Sequence, residues 1–557
     1  MLANQFGEIA VTCENTGTFP LAGACIELTE NLETGEIMAI VKLTDLYANL
    51  NDWPGRLFTG TDGVTVGAHI GAAFSFTYLP GTIFAGYTVT AGGTGFTYDG
   101  NTPTGGTMKS LTITDAIGHT VISITGIAAS GIASDLSLFA SQVFGWTDPD
   151  GNHINSDETK AWSLLLSGND TITGTAGNDR QGLIGVDAGN DVFNMGAGDD
   201  QVNGGLGNDT INGGDGYDTL AYDRTVWSEG IPVVRGITVN VVKGTVLDPY
   251  GYTDHITSIE QIQGSFARDV FIGGATEVEF EGLRGADKFV GGSSGDDYVM
   301  YMDDTWKGGN RGIVANLGVS ILGSDINGTI RDGFGNLDHT VNIHNVAGTR
   351  YADSFTGSSL NDNFAGGEGK DSYNGGGGND IVDFSWTFTG DSQHGIVIDL
   401  SKTTNQIVDD GFGNTETAKS IEYIIGSKQN DTIKGSSGNE TLRGQEGNDT
   451  LTGGGGNDAF KWKDFSQIGA NDAVTDFHAA AGSDQDQLQL NVTAWGGTTT
   501  LHLVNGSAAS AAVDTFIFNP TSHLLSWDPD GTGSQAAISI AVLSGVASLT
   551  AANFDLF

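Results

Sequence analysis

The sequence is short of the residues that usually hold a large protein together. Only two cysteines, Cys13 and Cys25, stand among 557 residues, so a disulfide framework does not carry the fold. The pair is open to a single bridge across a strand turn or to two buried thiols. Proline occurs 9 times, which excludes a collagen-like chain in spite of 86 glycines. No apolar run approaches the ~20 residues of a membrane-spanning helix. Basic residues are scarce as well, 23 Lys and Arg against 68 Asp and Glu, for a formal net charge of −45. Such a chain repels nucleic acid and anionic membranes, which excludes both as partners. The opening residues, "MLANQFGEIAVTCENTG", have neither the basic nor the apolar segment of a cleavable secretion signal.

What the chain has instead is glycine and aspartate in phase. The stretch "GGLGNDTINGGDGYDTL", residues 204–220, holds two near-copies of one nine-residue unit, Gly-Gly-x-Gly-x-Asp-x-apolar-x. Aligned on the aspartate, a first run contains Asp170, Asp179, Asp191, Asp200, Asp209 and Asp218, with one 12-residue step after Asp179, where Gln181 replaces the apolar residue. A second, degenerate run contains Asp269, Asp287 and Asp297. The third, Asp353, Asp362, Asp371 and Asp380, and the fourth, Asp431, Glu440, Asp449 and Asp458, keep a strict nine-residue step. Two residues after most of these acids stands an apolar one, such as Ile211, Leu220, Phe355, Phe364, Ile433 or Phe460.

The glycines permit turns with positive φ and let carbonyl oxygens point inward. Here they are Gly205 with Gly207, Gly214 with Gly216, Gly367 with Gly369, Gly376 with Gly378, and Gly454 with Gly456. The three residues after each turn form a short strand, and the chain bends at the aspartate so that the apolar residue faces inward. Stacked turns bring like charges together. Two carboxylates ~5 Å apart repel by roughly 3 kcal/mol at an effective dielectric of 20, so stacking requires a cation. Carboxylates and carbonyls at flexible spacing suit Ca²⁺ better than Mg²⁺. About 15 such ions would offset about 30 of the negative charges.

The unit resembles the nonapeptide of RTX (repeats-in-toxin) proteins, a Ca²⁺-binding parallel β-roll. The resemblance rests on "GGLGNDTIN" followed by "GGDGYDTLA", and again on "GGEGKDSYN" followed by "GGGGNDIVD". It implies several bound Ca²⁺ ions, held by Asp170, Asp179, Asp191, Asp200, Asp209, Asp218, Asp287, Asp297, Asp353, Asp362, Asp371, Asp380, Asp431, Asp449 and Asp458 with the ten glycines named above. Between the runs a larger unit recurs. "GITVNV" at 236, "GIVANL" at 312 and "GIVIDL" at 395 each lead to an acidic glycine turn and a second apolar strand, and Asp269, Asp353 and Asp431 then open new runs 84 and 78 residues apart. Trp227, Trp306 and Trp386, one before each such segment, are placed to cap the coils.

After Phe460 the repeat gives way to an acidic stretch with Asp472, Asp476, Asp484 and Asp486, which resembles the cap that closes an RTX roll. The final stretch resembles the uncleaved C-terminal signal of type I secretion, which implies export to the outside of a Gram-negative cell. Its "DPDGTGS", from Asp528 and Asp530, is open to a one-ion calcium turn or an ordinary hairpin turn. Residues 1–160 hold no nonapeptide, and their alternating stretches read as a β-sandwich-like domain.

The expected fold is therefore all-β in three parts. They are the N-terminal sandwich-like domain, a calcium-stacked parallel β-roll or β-helix array over 161–463 (runs near 168–222, 269–301, 353–384 and 431–463), and a β-rich secretion-signal region over 464–557. No HExxH occurs, and the Gly-x-Ser-x-Gly at 291–295 lies inside a turn run rather than at a strand-to-helix elbow, so no catalytic residue is assigned. The expected function is a secreted, calcium-dependent structural or adhesive component of a surface or matrix, joining to copies of itself or to glycans, without membrane insertion. The alternative is an enzyme acting on extracellular polysaccharide.

Overall fold

In the computed structural model, residues 189–223, 235–293, 295–322, 325–386, 394–468, 471–480, 482 and 484–557 are described, with the backbone paths of ten strands before residue 174. The chain divides into two compact units, Met1–Phe280 and Glu281–Phe557.

In the first unit, Val64–Ile70, Ala73–Tyr78, Thr88–Asp99, Thr102–Thr114 and Thr120–Thr125 form one antiparallel sheet in chain order. Gly23–Glu30 and Ile37–Thr44 form a hairpin. The hairpin and the strands between Thr88 and Thr125 coincide with the alternating stretches at 25–45, 86–100 and 108–127, whereas Val64–Ile70 and Ala73–Tyr78 lie outside them. Cys13 lies outside the described residues, as do Asp170, Asp179 and Trp227.

The roll is built from pairs of nonapeptides. Val192–Ala197 pairs in parallel with Thr210–Asp215, with Phe193 opposite Ile211. Gln201–Val202 pairs in parallel with Thr219–Ala221, with Val202 opposite Leu220. Partners are 18 residues apart, so one coil is two nonapeptides, one on each face. Both turns of a coil send their apolar residue inward, and Phe193, Val202, Ile211 and Leu220 are fully buried. Each such side chain contributes roughly 1.5–3 kcal/mol.

The longer segments widen one face only. Thr238–Asn240, Thr245–Leu247 and Thr253–Thr257 run as an antiparallel meander. Its last strand pairs back, in parallel, with Thr210–Asn212, and its first pairs forward with Val270–Ile272. The other face continues without interruption, Thr219–Ala221 meeting Gln261–Gln263 in parallel.

The second unit repeats this plan. The meander of Val314–Leu322, Asp325–Arg331 and Leu337–Val341 lies between Lys288–Val290 and Ser354–Thr356. A later one carries Val397–Asp399 and Ile407–Asp409. The uninterrupted face steps through Tyr298–Met300, Asn345–Ala347, Asn363–Ala365, Ile381–Asp383, Tyr423–Ile425, Thr441–Arg443, Ala459–Trp462, Gln487–Leu490 and Phe554–Leu556, every neighbour parallel. Inside, Phe355 stacks on Tyr373 with ring centroids 5.3 Å apart. The segment after Asp472 does not leave this architecture, since Asp472–Val474 and Ile538–Leu543 also pair in parallel.

Of the three tryptophans expected to cap the coils, Trp306 and Trp386 are described. Trp386 stacks on Tyr298 against Met300, Ala347 and Ala365. Trp306 sits in the one-turn helix Asp304–Lys307 and is 60 % exposed, with the Arg350 guanidinium over its ring. Among the described residues no helix is long and apolar enough to cross a membrane.

Candidate metal centres in the stacked turns

The same geometry recurs in turn after turn. The glycine that stands five residues before most of these aspartates leaves room for the carboxylate to fold back over its own turn. A Cβ on Gly444 or Gly453 would stand 2.1 or 2.3 Å from the Oδ2 of Asp449 or Asp458. The aspartate then reaches the preceding coil. Its Oδ1 accepts the backbone N–H of the acid 18 residues earlier: Asp191 to Asp209 at 2.8 Å, Asp200 to Asp218 at 2.9 Å, Asp353 to Asp371, Asp362 to Asp380 and Asp431 to Asp449 at 2.8 Å, Glu440 to Asp458 at 2.9 Å. The acids are buried and stand in two columns, one on each face.

The second oxygen of several acids is left over. Oδ2 of Asp209, Asp218, Asp380, Asp449 and Asp458 is buried without a hydrogen-bond partner. A buried carboxylate oxygen without a partner costs several kcal/mol unless a cation answers it. The other side of the gap is lined by carbonyls. At Gly376 and Gly378, φ is +99° and +134°, and an added Cβ would stand 2.3 and 2.5 Å from the carbonyl oxygens of Ser358 and Leu360 in the turn below. Gly454 and Gly456 meet the carbonyls of Ser436 and Gly438 in the same way. Each gap thus offers a partnerless carboxylate oxygen against stacked carbonyls, a hard oxygen-only donor set that fits Ca²⁺. Among the described residues no three His, Cys, Asp or Glu side chains converge on one point. A cation held in these turns therefore takes most of its ligands from the backbone.

Burial displaces the carboxyl titrations as expected for acids with no cation beside them. It raises Asp449 to about 8, Asp458 to about 7 and Asp380 to about 6. Asp431 is also raised by burial, but hydrogen bonds from Ser427 help hold it at about 6.

Of the sequence-predicted residues, Asp191, Asp200, Asp209, Asp218, Asp287, Asp297, Asp353, Asp362, Asp371, Asp380, Asp431, Asp449 and Asp458 all occupy the buried columns. The ten predicted glycines all have positive φ. Asp528 ends the strand Leu524–Asp528, and Asp530 lies in the connection from it to the antiparallel strand Ile538–Leu543. There Asp528 accepts the Gly531 N–H at 2.9 Å, and Asp530 Oδ2 accepts those of Ser534 and Gln535.

The columns also hold acids that lack the glycine pattern. Asp209 N–H donates to Asp254, Asp218 to Glu260, Asp287 to Asp338, Asp371 to Glu416 and Asp380 to Glu422, across 42 to 51 residues of sequence. Asp472 and Asp486 take the same place above Asp449 and Asp458. The signal for most of them is an acid followed two residues later by an apolar residue, as in Asp254-His255-Ile256 and Glu422-Tyr423-Ile424.

Fold and turns together define a parallel β-roll with carboxylate-lined, glycine-built turns. The model of the RTX calcium-binding nonapeptide repeat (4 copies) matches residues 166–180, 186–220, 348–382, 421–444 and 434–460, so the chain carries repeats of the RTX hemolysin-type calcium-binding kind. No curated protein matches the chain.

Proposed function

We propose that this chain is a secreted calcium-binding structural protein whose roll assembles when Ca²⁺ enters the stacked turns. The observation that carries the reading is the set of buried, partnerless carboxylate oxygens facing stacked carbonyls in turns of a calcium-binding repeat. Cation binding is then folding free energy, since the unfolded chain has no preformed site. Extracellular calcium modules work at Kd values of ~10⁻⁴–10⁻³ M, so such turns are empty in cytosol and filled outside. With a net charge of −45 the ion-free chain repels itself and stays extended, a state suited to passage through a type I secretion channel.

Repeats and meanders occupy most of the described chain and serve as a scaffold. The proposed role is structural or adhesive, at a cell surface or in a matrix. Its partners are copies of the same chain, joined head to tail, or surface glycans. A head-to-tail contact that does not close yields filaments or lattices.

The test is a calcium titration of the full chain from chelator to ~10 mM. Circular dichroism reports folding, and light scattering with negative-stain microscopy reports assembly. Ordered filaments or sheets appearing with the folded signal are the expected result. A folded, persistent monomer would overturn self-assembly, and a polysaccharide-substrate screen would then test the enzymatic alternative. No folding response would overturn the calcium reading itself.

A further inference from the structure

The acids in the columns are of two kinds, and the second residue of the nonapeptide separates them. Where that residue has positive φ, as at Gly205, Gly214, Gly376, Gln445 and Gly454, the carboxylate ends with Oδ2 buried and partnerless; at Gly367 only the Tyr373 hydroxyl, 3.4 Å away, meets Asp371 Oδ2. Five turns differ. Their second residue is Ser265, Thr349, Ser358, Ser427 or Ser436, and neither it nor the fourth residue of the turn has positive φ. Gly438, free to adopt positive φ, does not do so when Ser436 precedes it.

In these five turns the hydroxy residue closes on the acid. The backbone N–H of Ser265 donates to Asp269 Oδ2 and its Oγ to Oδ1, both at 2.8 Å. Thr349 does the same to Asp353 at 2.7 and 3.0 Å, and Ser427 to Asp431 at 2.7 Å twice. Ser436 binds both oxygens of Glu440 at 3.0 and 2.5 Å. Asp362 takes the N–H of Ser358 on Oδ2 at 2.5 Å and meets His344 Nδ1 at 2.8 Å through Oδ1. Each hydroxyl also accepts the N–H two residues on: Ala267, Tyr351, Leu360, Gln429 and Gly438. Both carboxylate oxygens are then occupied by protein donors.

The positions of the closed turns follow a rule. A column acid reaches toward the preceding coil, and the cation it needs lies between its own turn and a nonapeptide turn below, whose carbonyls face it. Asp269, Asp353 and Asp431 open their runs, and their Oδ1 meets a strand N–H, that of Ile237, Ile313 or Ile396. Asp362 stands over His344, and Glu440 over Glu422, whose carbonyl accepts the Thr441 N–H. Below none of the five is there a nonapeptide turn. Taking the calcium reading above as its basis, we infer that Asp269, Asp353, Asp362, Asp431 and Glu440 hold no cation, their Ser or Thr cap taking its place. Ion sites are then set by gaps between stacked turns, not by the number of nonapeptides. The four-turn runs at 353–384 and 431–463 each contain two such gaps, below Asp371 and Asp380 and below Asp449 and Asp458.

The experiment counts Ca²⁺ bound per full-length chain, by equilibrium dialysis and elemental analysis, at saturating calcium. D380N and D449N are each expected to bind one ion fewer than the parent, while D353N and D431N bind the parent number. Loss of an ion from D353N or D431N, or none from D380N and D449N, would overturn the inference. Should D353N or D431N fail to fold, S427A decides. An unchanged ion count with a lower melting temperature at saturating calcium supports the cap, and a changed ion count overturns it. A parent chain that binds no Ca²⁺ would instead remove the reading on which the inference rests, and the two failures are told apart by the parent measurement alone.

Discussion

At the scale of single residues, glycine serves two separate needs in most open turns. The first glycine provides space, because a carboxylate folds back over it. The second and fourth provide conformation, and also let a carbonyl from the coil below approach. Gly454→Ala meets both objections, with φ at +99° and the Ser436 carbonyl 2.1 Å from the new Cβ. The left-handed conformation alone costs about 1–2 kcal/mol, and the clash adds to it. The calcium concentration at the folding midpoint is expected to rise for this variant, as read by circular dichroism. A second, exposed column accompanies the acids: the side-chain oxygens of Asn190, Asn361, Asn430 and Asn439 accept the N–H of the residue 18 later, Asn208, Asn379, Asn448 and Asn457, at 2.8 Å. Asparagine in the fifth position of the repeat therefore fastens one turn to the next without a cation.

At the scale of elements, the acid that closes a run is met by an aromatic residue four positions after the run's last aspartate. Tyr222 donates its hydroxyl to Asp254 Oδ2 at 2.7 Å, Tyr301 to Asp338 Oδ2 at 2.9 Å, and the Trp462 indole N–H to Asp472 Oδ2 at 2.9 Å. In the third run this position is Phe384, which has no donor, and Glu416 Oε2 is buried without a partner. Trp462→Phe is expected to destabilise the chain by about 1–3 kcal/mol, the cost of an orphaned buried acceptor. Phe384→Tyr is expected to stabilise it by about 1 kcal/mol, with urea denaturation at saturating calcium as the measurement for both. These elements also mark how far the sequence could be read. The nonapeptide columns were legible because glycine and aspartate recur at a fixed step. Asp254, Glu260, Asp338, Glu416 and Glu422 were not, because no glycine turn precedes them: Asp254, Asp338 and Glu416 come with the widened face, Glu260 and Glu422 with strands Gln261–Gln263 and Tyr423–Ile425 of the other face. The two faces were equally hidden: an 80-residue period does not say that only one face is widened.

At the scale of the whole molecule, buried acids couple folding to pH. In the ion-free fold, burial raises Asp449 to about 8, Asp458 to about 7 and Asp380 to about 6, all above the ordinary value of 3.8. The fold then binds more protons than the unfolded chain between pH ~4 and ~8, so stability falls as pH rises through that window. In chelator, circular dichroism should show most structure near pH 4 and progressive loss toward pH 8. In calcium the order reverses, since the ion competes with those protons, and affinity should grow as pH rises.

The caps that open the runs have a consequence for the length of the chain. Asp353 and Asp431 begin their runs in the same way, each bonded to its own Thr or Ser and to one strand N–H of the meander before it. The 78 residues from one to the other therefore behave as an interchangeable cassette with matching ends. Excising residues 353–430 sets Asp431 where Asp353 stood and brings Thr441–Arg443 to the place of Asn363–Ala365, with register kept on both faces. Gene duplication or unequal recombination at these points lengthens or shortens the molecule by whole cassettes, so its reach can change while its joints stay the same.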